Sequence, residues 1–233
     1  DNVPLKPRHH FPVSVKGTEP GDFSMVYGFP GTTQQYLHAG AVKFITGTVN
    51  PNAIAMRAAS LNIIDEAMGR SDQIRIQYAA KQARIANAWK KWIGENRGLD
   101  RLNAIEKKNK LEASFNEAVK KDVKLRTEYG SVLKNIKSQH EAGQKFIMAR
   151  SMIIEFYFVG PEIIRYVSNY TNIADNYDKL KESGKLEDEV ARLRKSVAGF
   201  YKNYQPWVDE KVLAVLYPMY IKALAPELRP DIH

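Results

Sequence analysis

Beyond Tyr36 the apolar residues recur with a period near 3.6, the repeat of a helix that buries one face. Asn50-Pro51 offers an N-cap and a proline at the first helical position, predicting a helix to about Met68. Ser71 caps a second, running to about Ile93, with apolar residues at Ile74, Tyr78, Ile85, Trp89, Trp92 and Ile93. A third, about Leu99 to Tyr129, is rich in Lys and Glu, has a narrow stripe at Leu102, Ile105, Leu111 and Phe115, and is closed by Gly130. The fourth covers about Val132 to Phe158, polar at first and heavily apolar at its end. Gly160-Pro161 breaks it and starts a fifth, which is indistinct around Asn169 to Asn176. Gly184 separates that from a helix at about Leu186 to Tyr204. Pro206 opens the last, which Pro218 can kink and Pro226 ends.

The first 35 residues follow a different rhythm. Two short alternating runs between Val13 and Phe29, separated by Gly17, Pro20 and Gly21, predict a pair of β-strands with a turn. A two-stranded ribbon is marginal alone, so the expectation is that it joins a sheet whose other strands lie outside this chain. The predicted fold class is mainly α: a multi-helix bundle of about six or seven helices preceded by a short β-strand pair. The predicted division is 1–35 and 36–233.

Composition narrows the chemistry. The 233 residues, 44% apolar and 26% charged, suffice for a core without staples. There is no cysteine, which excludes disulfides, thiolate metal sites and a cysteine nucleophile. The opening Asp1-Asn2-Val3-Pro4 has no initiator Met and no signal-peptide pattern, so the chain is expected to be a piece of something longer. Phe146 to Val159 has 11 apolar residues in 14 but contains Arg150, Ser151 and Glu155. Since about 20 residues are needed to span a bilayer, a core helix and no membrane span are expected.

The net charge of +9 permits a polyanionic partner. It is concentrated in Arg97 to Lys145, with 12 Lys or Arg against 7 Asp or Glu. One reading is a helical interaction module that binds nucleic acid or protein through this basic face. The other is a salt-bridged, solvated helical pair, because the signs alternate, as in Glu106-Lys107-Lys108 and Lys120-Lys121-Asp122.

No Gly-x-Ser-x-Gly elbow, HExxH or P-loop is present, and His9, His10, His38, His140 and His233 share no motif with an acid or a serine. Adjacent His9 and His10 would point oppositely in an extended segment and seldom share an ion. The second helix is more informative. Trp89, Ile85 and Tyr78 form a bulky core stripe, and well around from it lie Ala80, Ala83, Asn87 and Gly94, small residues that let a backbone or ligand approach. Asn87 is the polar group in that strip. Its amide oxygen could accept hydrogen bonds from an ammonium group; the alternative is a surface or capping asparagine.

Several segments resemble one family in the same order. His10-Phe-Pro-Val-Ser-Val-Lys-Gly17 and Gly21-Asp-Phe-Ser-Met-Val-Tyr-Gly-Phe-Pro-Gly-Thr-Thr33 look like the end of the first barrel in the bacterial dipeptidyl-peptidases 7 and 11, of serine peptidase family 46. Ile54-Ala-Met-Arg57, Ile74-Arg-Ile-Gln-Tyr-Ala-Ala-Lys81, Asn87-Ala-Trp-Lys90 and Gly98-Leu-Asp-Arg-Leu-Asn-Ala-Ile-Glu-Lys-Lys108 are similar to its later segments. Gly31-Thr-Thr-Gln-Gln-Tyr36 departs from the family's usual loop, which often carries a basic residue there.

The resemblance implies a chymotrypsin-like pair of barrels with an inserted helical domain that caps the cleft. The catalytic His and Asp would precede this chain and the Ser would follow it, so the chain alone would be inactive. The family's asparagine that helps hold the substrate's free N-terminus falls on Asn87. Implied partners are peptide substrates with a free N-terminus and the barrel segments of the same polypeptide, in a parent that could be homodimeric, with no nucleic acid. No metal or organic cofactor is implied, and the expected location is periplasmic or secreted.

Overall fold

The computed structural model describes residues 4–25, 27–28 and 31–230. The chain divides into two units, Asp1–Tyr36 and Leu37–His233. In the first, the expected turn is present: the Asp22 amide donates to the Glu19 carbonyl at 3.1 Å, with Gly21 at φ +101° following Pro20. That backbone is open to glycine and strained for other residues, which is why the Pro20-Gly21 pair makes the turn. The expected strands do not form among the described residues, where Phe11, Val13, Val15, Phe23 and Met25 are all exposed. Val26 and Phe29 of the predicted pair lie outside the described residues. A turn can close on its own side chains, whereas a ladder needs partner strands.

The second unit is helical. It opens with α1 (Ala39–Phe44), which passes through a π turn at Ile45–Val49 into α2 (Asn50–Met68). His38 is the cap of α1, its Nδ1 accepting the Ala41 amide at 3.2 Å. This corrects the expectation for Asn50. Its backbone is helical, and its buried side chain donates to Asn96 Oδ1 at 2.8 Å and Glu95 Oε2 at 3.3 Å instead of capping.

Helix α3 (Asp72–Arg101) starts as expected, with Ser71 Oγ accepting the Ile74 amide at 3.2 Å, but runs about two turns further, through Gly94 and Gly98. The long third helix of the sequence reading is three pieces. Asn103, at φ +49°, breaks α3 from α4 (Ala104–Lys121). The Asp122 carboxylate then accepts the amides of Lys124 and Leu125 at 2.7 and 3.0 Å to open α5 (Val123–Tyr129). Both residues tolerate the local geometry that ends one helix and begins another.

Helix α6 (Val132–Ile153) ends in a second π turn, Ile154–Phe158. At Gly160 a Cβ would collide with the Phe156 carbonyl oxygen and lie 3.0 Å from Leu216 Cδ1, so the chain can turn tightly only with glycine there. Next come α7 (Glu162–Val167), a 3-10 turn at Ser168–Tyr170 and α8 (Thr171–Glu182). The indistinct stretch of the sequence is this 3-10 turn and a non-helical Asn176 at φ −127°. Gly184 at φ +68° leads to α9 (Leu186–Lys202), and α10 (Pro206–Ala223) continues through Pro218.

The core lies where α2 packs against α3, α6 and α10. Met56, Leu61, Ile64, Tyr78, Ile85, Met152, Phe156, Val208, Leu216 and Tyr220 form one buried cluster, with Phe156 stacked on Tyr220 at 4.8 Å. Each such side chain contributes about 1.5–3 kcal/mol by leaving water. Helix α1 packs separately on α4 and α6, where Glu112 accepts the Ala39 amide at 2.7 Å and pairs with Lys137 at 2.6 Å.

Candidate functional site

Helix α3 carries the candidate site because it is held on one side and open on the other. Tyr78 and Ile85 are buried against α2 and α10, which fixes the rotation of the helix. The residues on the other side, Ala80, Ala83, Asn87 and Gly94, are all exposed, and a Cβ at Gly94 would meet nothing within 4 Å. The Asn87 side chain makes no hydrogen bond among the described residues, so both ends of its amide are available. The four positions that the sequence reading singled out thus share the solvent-facing side of α3.

A charged pair absent from that reading anchors the strip from beneath. Arg57 of α2 lies in the core, its Nε and Nη2 donating to the Glu155 carboxylate at 2.7 and 3.0 Å. Its Nη1 donates to the Ile85 carbonyl of α3 at 3.1 Å, and its guanidinium lies over Trp92 at 4.7 Å. One side chain thereby joins α2, α3 and the π turn that ends α6. The sequence signal was a charged residue inside each of two apolar stretches. The pairing itself crosses 98 positions and has no local signature.

The N-terminus of α7 is built by another buried acid. The Asp209 carboxylate of α10 accepts the amides of Glu162 and Ile163 at 2.6 and 2.9 Å, and Tyr204 donates its hydroxyl at 3.1 Å. Carboxylate and helix N-terminus suit one another electrostatically. Tyr204 is held protonated by burial and then by the Asp209 charge, and Tyr78 by burial and then by Glu162. Lys81 of α3 pairs with Glu162 at 2.7 Å and also donates to the Asn203 carbonyl.

Between α3, α7 and α9 lies a groove of about 620 Å³, lined by Ala80, Arg84, Arg165, Asn169 and Phe200 among others. It opens beside the Asn87 strip, with which it shares Ala80.

The histidines form no catalytic arrangement that the described residues reveal. His9 and His10 are exposed in the first unit, rings 6.4 Å apart, and His233 lies outside the described residues. His38 meets His140 edge-on at 4.8 Å, and its Nε2 is buried without a partner among the described residues. Burial, and then the charge of His140, hold the His38 pKa below its ordinary value. No three His, Asp or Glu among the described residues could hold a metal ion together, and no described helix is long and apolar enough to cross a membrane. In the basic stretch, Lys110–Glu106 and Lys120–Glu117 pair along α4 at 2.7 and 2.9 Å, as the alternating signs imply.

Compared with protein families, the peptidase S46 model matches residues 1–233. The chain belongs to peptidase family S46. Among S46 relatives, it is 35% identical over 222 residues to an Asp/Glu-specific dipeptidyl-peptidase of Capnocytophaga gingivalis, covering 94% of this chain and 31% of that protein. It is 33% identical over 232 residues to dipeptidyl-peptidase 7 of Porphyromonas gingivalis, covering 100% and 31%. The crystal structure of Porphyromonas endodontalis DPP11 in complex with the dipeptide Arg-Glu matches with a TM-score of 0.71 and 26% identity, over 87% of this chain and 29% of that one. This S46 chain therefore spans about a third of the length of the curated relatives it matches.

Proposed function

We propose that this chain is the helical, cleft-capping segment of a serine dipeptidyl-peptidase, and that Asn87 helps anchor the free N-terminus of the peptide substrate. The observation that carries the reading is Asn87 itself: an exposed amide without a partner among the described residues, in a strip of Ala and Gly, on a helix whose other face is locked in the core. Relatives named as dipeptidyl-peptidases and a dipeptide-bound structural neighbour support it.

The chemistry is that of positioning. A terminal ammonium offers three N–H donors and, in a water-poor cleft, needs acceptors; Asn87 Oδ1 supplies one without adding charge. A fixed ammonium sets the scissile bond two residues, about 7 Å of extended chain, from the anchor. That spacing turns a cleft able to cut anywhere into one that releases dipeptides. On this reading nucleophile, base and oxyanion hole belong to the barrel segments of the same polypeptide, the chain alone is inactive, no metal or organic cofactor takes part, and the parent is periplasmic or secreted.

The test is Asn87→Ala in the full-length protein. Losing a hydrogen bond to a charged group costs about 1.5–3 kcal/mol, so kcat/KM on free-amine dipeptidyl substrates should fall about 10- to 150-fold with melting nearly unchanged. Asn87→Asp should be milder, because a carboxylate also accepts from the ammonium. N-acetylated substrates should lose much less. Equal loss on both substrates, or a large drop in melting temperature, would make Asn87 an ordinary structural residue.

A further inference from the structure

The groove between α3, α7 and α9 has a charge imbalance that the fold does not explain. Lys81 at its edge is answered by Glu162 and by the Asn203 carbonyl. Among the described residues, the guanidiniums of Arg84 and Arg165 have neither an ion-pair nor a hydrogen-bond partner, although both line the groove. Glu162, the carboxylate in the lining, is already paired. Two arginines facing one concavity present ten N–H donors and no acceptor, a complement to carboxylate oxygens.

The wall opposite α3 is a packed aromatic cluster, and the one exposed ring among the described lining residues is Phe158. Tyr166 and Phe200 are stacked at 4.0 Å, Phe200 leans on Tyr204 at 4.5 Å, and Tyr166 meets Tyr170 edge-on at 5.8 Å. The Tyr166 hydroxyl is tied to Ser196 Oγ at 3.0 Å. Single-stranded nucleic acid binds along a series of open aromatic faces, whereas Phe158 is the one exposed ring here and Lys81 is already paired. A slender chain with one negative group fits better, and the alanines at 80 and 83 leave room for it to arrive from the Asn87 strip.

We propose that this groove receives a carboxylate from the leaving part of a peptide whose ammonium is held at Asn87; the proposal rests on that reading of Asn87. The Arg84 backbone is one turn from Asn87, but a long helical side chain leans back over the turn before it, which carries the Arg84 head toward Ala80, about 10 Å from Asn87 along the helix axis. An extended peptide covers that distance in about three residues. The carboxylate that meets Arg84 and Arg165 therefore belongs to the third or fourth residue, beyond the bond that a dipeptidyl-peptidase cuts. The groove then selects acidic peptides by their leaving side, independently of the residues released.

The experiment is calorimetric titration of the full-length protein with C-terminally amidated tetrapeptides that carry a ketomethylene in place of the second peptide bond and so are not cleaved. Ala-Ala-Glu-Ala and Ala-Ala-Ala-Glu frames are compared with their Gln counterparts, and an all-Ala frame with a free C-terminal acid separates a terminal carboxylate from a side-chain one. A Glu frame should bind about 5- to 10-fold more tightly than its Gln counterpart, a preference that weakens with added salt. Arg84→Gln with Arg165→Gln should abolish the preference, and Arg84→Lys with Arg165→Lys should retain most of it. Equal affinity of Glu and Gln frames in the native protein, or a preference that survives the double Gln variant, overturns the proposal. Failure of the Asn87 reading has a separate mark: N-acetylated and free-amine frames would then bind equally, whatever the Glu preference.

Discussion

Replacing Arg57 by Met tests whether the buried pair beneath α3 holds the helical body together. The Arg57 and Glu155 side chains are only 10% and 3% exposed, and both hydrogen bonds that the Glu155 carboxylate accepts among the described residues come from Arg57. Arg57→Met leaves that carboxylate buried and uncompensated, a loss of about 3–5 kcal/mol. For a body of this size each kcal/mol shifts melting by about 2–4 °C, so Tm should fall by roughly 6–20 °C. The double variant Arg57→Met with Glu155→Leu removes both charges and fills the space with apolar atoms, which is often neutral for buried pairs. It should recover most of the loss, a coupling above about 2 kcal/mol. Urea denaturation followed by far-UV circular dichroism reads both values from the midpoint at constant m. A single variant that costs under about 1 kcal/mol, or a double variant as unstable as the sum of the singles, would refute the account.

Three further outcomes follow from the same geometry. Burial, and then the charge of His140, lower the His38 pKa in the folded chain, so its contribution to stability is fully present above the ordinary value of 6.5 and is lost as the pH falls below it toward the folded-state pKa; the groups facing it are His140, Glu112, Lys137 and Glu141. His38→Asn, which caps without titrating, should flatten the stability profile in that window, and an unchanged profile would show that His38 does not cause it. Asp209→Ala should cost about 2–4 kcal/mol in urea unfolding and Asp209→Asn about half as much, since two amides and the Tyr204 hydroxyl lose a charged acceptor. Gly160→Ala should cost about 1–3 kcal/mol because the new methyl meets the Phe156 carbonyl and Leu216; stability within error of the parent would show that the turn relaxes freely.

What could be read from the sequence was what is local. Ser71, Gly184 and Gly160-Pro161 mark helix ends through their own backbone or side-chain chemistry, and the structure has breaks at each. Helix α1 escaped because Ala39 to Phe44 is too short to show a period and histidine is an uncommon cap. The joints at Asn103 and Asp122 escaped because Lys- and Glu-rich helix formers flank both. The strand pair shows the converse: alternation marks a capacity for β-structure, but a ladder also requires partner strands. At the candidate site, the Asn87 strip was legible because small residues at helical spacing define it. Arg57–Glu155 and the Asp209 anchor were not, since each depends on which distant helix the fold brings alongside.

The π turn at Ile45–Val49 acts as a phase shifter. In an unbroken α-helix Val42 and Ala53, eleven residues apart, would lie within about 20° of each other and face one neighbour. The wider turn takes up an extra residue, so the two buried faces of a single rod diverge by most of a quarter-turn, one toward α4 and α6 and the other toward α3 and α10. A homologue that loses one residue here keeps its helix and misaligns a face. The damage would be felt at Glu112 and Lys137, far along the chain from the deletion.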